Sequence, residues 1–176
     1  MTVNATEVCA AVLVSAACVS DIRSRRIPNW LTLSGVCAGL LLNAVTGGFA
    51  GAGRSLAGML AGFGVYLLLY CLRAMGAGDV KLMAAVGAIV GPAGWFSVFL
   101  ATSIAGGVLA LGAVTYKGRL RETLWNVFFI VSELIQLRAP FQRRSDLSVK
   151  DSRSLKMPHG VAVAAGTAAA LLMARI

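Results

Sequence analysis

The sequence predicts an all-α fold, a polytopic membrane helix bundle of six transmembrane spans with an amphipathic surface helix between spans five and six. Three observations predict it. Of 176 residues, 58% are hydrophobic and 13% are charged, with a mean hydropathy of +0.80, whereas a soluble domain carries about 25% charged residues. The apolar residues gather into six segments, several of them shorter than the ideal ~20 residues of a span. Sixteen Lys and Arg face seven Asp and Glu, net +9, and the cations are spread unevenly, as loops on the inner side of a membrane would have them. The same arithmetic excludes a soluble globular domain and a disordered tail. The positive balance is explained by topology, so no nucleic-acid partner is expected.

The segments fall at 3–20, 30–45, 55–72, 80–90, 94–116 and 160–176. The fourth is short and ends at Gly91-Pro92. Proline disfavours helix at the residue before it, so Gly91–Gly94 reads as a tight turn between two spans, the fourth being short or half-immersed. Charge supports that division. With six spans and both termini outside, fourteen of the sixteen cations lie on the inner side, and only Arg54 and Arg175 lie outside. Merging 80–116 into one span would carry the most basic segment across the membrane. In 117–158, Leu120, Leu124, Val127, Val131 and Leu134 recur at helical spacing opposite Arg119, Glu122 and Glu133, which predicts a helix lying on the inner surface. The remainder of that loop is polar and basic, suited to anionic lipid headgroups or simply to fixing topology. One domain is expected over 1–176. The small-xxx-small pairs Gly35/Gly39, Gly58/Gly62 and Gly87/Gly91 predict close helix packing.

Cys9, Cys18, Cys37 and Cys71 all fall in apolar stretches without a CxxC pair, so neither a disulfide framework nor a metal site is expected. The first charge is Glu7, with no basic run before it, so no cleavable signal peptide is expected. Five of the seven acids have ordinary surroundings: Glu7 at the outer end of span one, Glu122 and Glu133 on the surface helix, Asp146 and Asp151 in the basic loop. Asp21 and Asp79 remain. Asp21 closes the first span and Asp79 opens the fourth, both at the inner face. Asp79 alone would suit a helix cap. As a pair they suit other chemistry, because two carboxylates sharing a site do not both ionise easily. One then acts as base on a water and the other as acid toward a leaving amine. Gly76 and Gly78 before Asp79 would admit an irregular backbone and the close approach of an extended strand. His159 is the sole histidine, so Ser–His or Cys–His catalysis has little to draw on.

Two motifs carry a resemblance. Asp21-Ile22-Arg23-Ser24-Arg25-Arg26-Ile27-Pro28-Asn29 and Gly76-Ala77-Gly78-Asp79-Val80-Lys81-Leu82 resemble the two aspartate blocks of the type IV prepilin peptidases, membrane aspartic peptidases of the GxGD type. Met157-Pro158-His159-Gly160 resembles that family's Pro-aromatic-Gly element. The likeness is nearest to the short members that serve Flp/Tad pili. It implies Asp21 and Asp79 as the catalytic pair, with Gly76 and Gly78 shaping the backbone beside Asp79. Lys81, able to hold Asp79 ionised by its charge, and His159 become candidate electrostatic or substrate contacts; a purely topological role for Lys81 stays open. Pro28 and Asn29 would mainly begin the second span. The resemblance further implies a bacterial inner-membrane protein that removes a short basic leader from prepilins at the cytoplasmic face, with no cofactor or metal. Its partners would be a prepilin or pseudopilin and the lipid bilayer. Larger members also N-methylate the new terminus through a cysteine-bearing cytoplasmic domain. The first loop here is only about nine residues long, so methylation is not expected. Two other functions fit the bare residues: a small transporter using the aspartates for ions or protons, and a membrane scaffold for a secretion machine.

Overall fold

The computed structural model describes residues 4–72, 75–116, 118, 125 and 159–173. All regular structure among these residues is helical. Helix α1 spans Ala5–Ser24, α2 spans Asn29–Cys71, α3 spans Ala77–Tyr116 and α4 spans His159–Met173. Glu7 lies in the first turn of α1, where the helix dipole favours an acid. The same helix stops at Arg25, whose φ of 50° is left-handed and whose N–H reaches the Asp21 carbonyl. Pro28, with φ fixed near the helical value, leads into α2. The surface helix expected within 117–158 lies outside the described residues, apart from Gly118 and Trp125.

Three helices, α1, α2 and α3, are long and apolar enough to cross a membrane. Two of them fold back on themselves. Gly48 (φ 57°, ψ −145°) interrupts α2, and Gly91 (φ 75°, ψ 177°) interrupts α3; this region of backbone space is open essentially only to glycine. The packing gives the directions of the arms. Gly58 meets Gly87, and Gly62 meets Met83, so the second arm of α2 runs antiparallel to the first arm of α3. Gly35 meets Ala85, and Gly39 meets Ala88, so the first arm of α2 runs parallel to that same arm. Trp95 lies against Gly62, while Phe99 meets Tyr66 edge-on and stacks on Trp95, so the second arm of α3 turns back beside the second arm of α2.

Each turn takes a different form from the one the sequence suggested. Helix continues to both sides of Gly48, where a loop over about 46–54 was expected, and the turn expected over Gly91–Gly94 is confined to Gly91. One glycine with positive φ suffices where small residues let the arms touch. The first arm of α3 is short, as expected, and central to the bundle: Val80, Leu82, Met83, Ala85, Val86 and Ile89 are all buried, the mark of a helix apolar all round.

Pro92 leaves a vacancy that side chains fill. Lacking an N–H, it cannot bond the carbonyl of Ala88 in the helical manner. Ser55 Oγ donates to that oxygen at 2.7 Å and Asn43 Nδ2 at 3.2 Å, and Asn43 also donates to the Ile89 carbonyl at 3.0 Å. Both side chains are buried, where a free carbonyl would be costly. Helix α4 packs on α1 and on α3. Gly166 lies against Thr102 and Gly106 against Ala162, so α4 runs antiparallel to the second arm of α3.

One end of the bundle gathers the start of α1, Leu171 of α4 and the Gly91 turn around an open cavity of about 530 Å³, with Glu7 and Arg54 in its wall. The other end gathers the close of α1, the starts of α2, α3 and α4, and the last turn of α2.

Candidate functional site

Asp21 and Asp79 both stand at that second end, each half-buried. Asp21 lies in the last turn of α1 and Asp79 in the first turn of α3. Their local settings follow from the helix ends. Gly76 precedes α3, and its N–H donates to Asp79 Oδ2 at 3.2 Å, while the Asp79 N–H returns to the Gly76 carbonyl at 3.2 Å. This is the acidic half of a capping box, an acid three residues in reaching back to the residue before the helix. The capping role considered for Asp79 is therefore real. Asp21 finds its donor elsewhere: the Gly160 N–H, at the start of α4, donates to Asp21 Oδ2 at 2.9 Å. One oxygen of each carboxylate is thus held by a backbone amide at the positive end of a helix, α3 for Asp79 and α4 for Asp21.

The two motifs meet directly. Ile27 lies beside Gly78, where a Cβ on the glycine would stand 3.5 Å from Ile27 Cβ. Lys81 Nζ donates to Asn29 Oδ1 at 2.8 Å. This bond engages the asparagine that closes the first motif and leaves open an effect of the Lys81 charge on Asp79. The first motif is stiffened from within, as Ser20 Oγ donates to the Arg26 carbonyl and Ser24 Oγ to that of Ser20, both at 2.8 Å.

Gly76 stands just outside the helix beside Asp79. The positive-φ glycines among the described residues are Gly48, Gly91 and Gly118, so neither Gly76 nor Gly78 needs left-handed backbone. Gly78 is helical, and its bare Cα admits Ile27. His159 begins α4.

Sequence reasoning missed three residues of this end. Gly160 was read only as part of a motif, yet it contacts Asp21. Asn29 was read as structural, yet it holds Lys81. Tyr66 is buried on the second arm of α2 and lies within electrostatic reach of Asp79; an aromatic residue in an apolar run gave no signal of this. Beside the Asn29–Lys81 bond a groove of about 370 Å³ opens, walled by Leu33, Val36, Phe63 and Ala84. Among the described residues no group of three or more His, Cys, Asp or Glu is placed to hold a metal ion. The arrangement offers two anchored carboxylates at the rim of an apolar bundle, and an apolar groove whose mouth carries Asn29 and Lys81.

Residues 8–111 match the type IV leader peptidase family. The chain is 36% identical over 123 residues to a prepilin leader peptidase/N-methyltransferase of Burkholderia pseudomallei strain 1026b, covering 64% of this chain and 38% of that protein. It is 34% identical over 104 residues to a protein of the same name from Aeromonas hydrophila, covering 55% of this chain and 36% of that one. The match thus spans little more than a third of each relative's length. Both activities stand in the relatives' names, so the expectation that methylation is lacking gains nothing from them. No solved structure matches the chain.

Proposed function

The chain belongs to the type IV leader peptidase family, and from that premise we propose that it is a membrane-embedded aspartic endopeptidase with Asp21 and Asp79 as its catalytic pair. Its substrates are type IV prepilins of the Flp/Tad kind, cut between a short basic leader and the apolar segment. One observation carries the proposal: the two aspartate motifs, about sixty residues apart in sequence, are joined at one end of the bundle by Ile27 against Gly78 and by Asn29 with Lys81.

The reaction needs only water and the two side chains. One aspartate takes a proton as the water oxygen bonds to the scissile carbonyl carbon. The other gives its proton to the amide nitrogen as the C–N bond breaks. An amide on one oxygen of each carboxylate fixes its orientation for this exchange. The apolar groove beside Lys81 suits the segment that follows the leader. A transport role is disfavoured by depth, since transport sites lie near the bilayer middle and both aspartates lie at helix ends.

The same reading has six membrane crossings: α1, the two arms of α2, the two arms of α3, and α4. The aspartate end then faces the cytoplasm of the inner membrane, with fourteen of the sixteen cations on that side in keeping with the positive-inside bias. The first arm of α3 has about fourteen residues, or ~21 Å at 1.5 Å per residue, less than the ~30 Å hydrocarbon core. Asp79 therefore sits below the membrane surface, reached from the cytoplasm.

The test uses the full chain in lipid nanodiscs and a synthetic peptide with a basic leader, a glycine and an apolar segment. Mass spectrometry should find a single cut at the leader junction. An intact peptide after prolonged incubation contradicts the proposal.

A further inference from the structure

Asp21 occupies an awkward place. It ends α1, where the helix dipole is negative and repels a carboxylate. Its compensation comes from a helix that follows it by more than a hundred residues. Gly160 is the second residue of α4, so its N–H is one of the four at a helix start without an intrahelical partner. That N–H donates to Asp21 Oδ2 at 2.9 Å. The approach is as close as it can be. A Cβ on Gly160 would stand 3.0 Å from both Asp21 Cβ and Oδ2, and 3.4 Å from Cγ. A methyl group there would make Asp21 give by a few tenths of an ångström, shifting the carboxylate on its amide. Gly160 has no positive φ, so backbone conformation does not demand a glycine; the contact with Asp21 does. The docking is braced farther along α4 by Gly166, whose Cβ would run into Thr102.

We infer that Gly160 is a positioning residue for Asp21, holding one carboxylate oxygen so that the other is turned toward substrate and water. The inference rests on Asp21 being one of the catalytic pair.

The experiment again uses the full chain in nanodiscs with the leader–glycine–apolar peptide. Gly160→Ala is expected to lower kcat by about tenfold, since Asp21 must give by a few tenths of an ångström and a misplacement of ~1 Å costs about 10²-fold, with KM changed by no more than about twofold. Gly106→Ala is the control, because a methyl group there faces the same helix only at Ala162, 3.7 Å away and far from Asp21. It should keep kcat within about threefold. Wild-type kcat in Gly160→Ala, or equal kcat losses in the two variants, overturns the inference. Hydrogen exchange reads the bond without altering Gly160: in Asp21→Ala the Gly160 amide should exchange at least about tenfold faster. An unchanged rate overturns the inference even if Gly160→Ala does not fold. An active Asp21→Asn chain would defeat the catalytic pair itself, whereas an inactive one beside a fully active Gly160→Ala defeats only the role of Gly160.

Discussion

Lys81 Nζ donates to Asn29 Oδ1 at 2.8 Å, and this bond joins the motif that begins at Asp21 to the motif that contains Asp79. The pair is exposed, so its worth is modest, but it ties the start of α2 to the start of α3.

Alanine at either position removes the same bond. Asn29→Ala and Lys81→Ala are each expected to slow peptide cleavage by about fivefold, corresponding to about 1 kcal/mol for one hydrogen bond. The double variant should be no worse than the singles, as a double-mutant cycle would show for a shared interaction. A defect confined to Lys81→Ala would assign the lysine to Asp79 or to substrate instead.

Glycines that look alike in sequence differ in what an added methyl group would meet. A Cβ on Gly78 would meet Ile27 at 3.5–3.7 Å, an ordinary contact. Gly78→Ala should fold normally and gain up to about 1 kcal/mol from helix propensity. A Cβ on Gly87 would run into the Gly58 carbonyl, which is backbone and cannot step aside. Gly87→Ala should cost about 1–3 kcal/mol by overpacking. Thermal unfolding of the two variants in nanodiscs checks the contrast, and equal midpoints would contradict it.

The Ala88 carbonyl has two side-chain donors, Asn43 and Ser55. Losing Ser55 leaves Asn43, so Ser55→Ala should cost about 0.5–1 kcal/mol, the usual scale for such bonds within membranes; Asn43→Ala should cost more, because the Ile89 carbonyl loses its donor as well. Losing both orphans a buried carbonyl, and the double variant should exceed the sum of the singles by about 1 kcal/mol or more. Reversible unfolding in mixed micelles measures this; strict additivity would show that Ala88 finds another donor.

Much of this was legible in the sequence because it depends on local chemistry. Apolar runs gave the helices. Gly91-Pro92 marked a break, since proline and positive φ are local constraints. The two aspartates stood out because so few acids compete with them. What remained hidden depends on contact between distant segments. Nothing near Gly48 announced that helix would continue to both sides of it. The need for Asn43 and Ser55 follows from the missing N–H of Pro92, but which side chains meet that need is set by how α2 folds over α3. Gly160 could be placed in a motif, yet its partner lies on the first helix. Lys81 carried a charge that pointed to the nearest acid in sequence, and its hydrogen bond to Asn29 depends on how α2 and α3 pack.

Whether Asp21 and Asp79 together perform hydrolysis is decided by peptide cleavage in Asp21→Asn and Asp79→Asn. Asparagine keeps the shape and can still accept from the Gly160 or Gly76 amide, so folding should survive while acid–base function is lost. Each variant, inserted in nanodiscs at the wild-type level, is expected to lose at least about 10²-fold in kcat, the lower range for removing a general acid or base. Cleavage by either variant within about twofold of the wild-type rate would contradict the account.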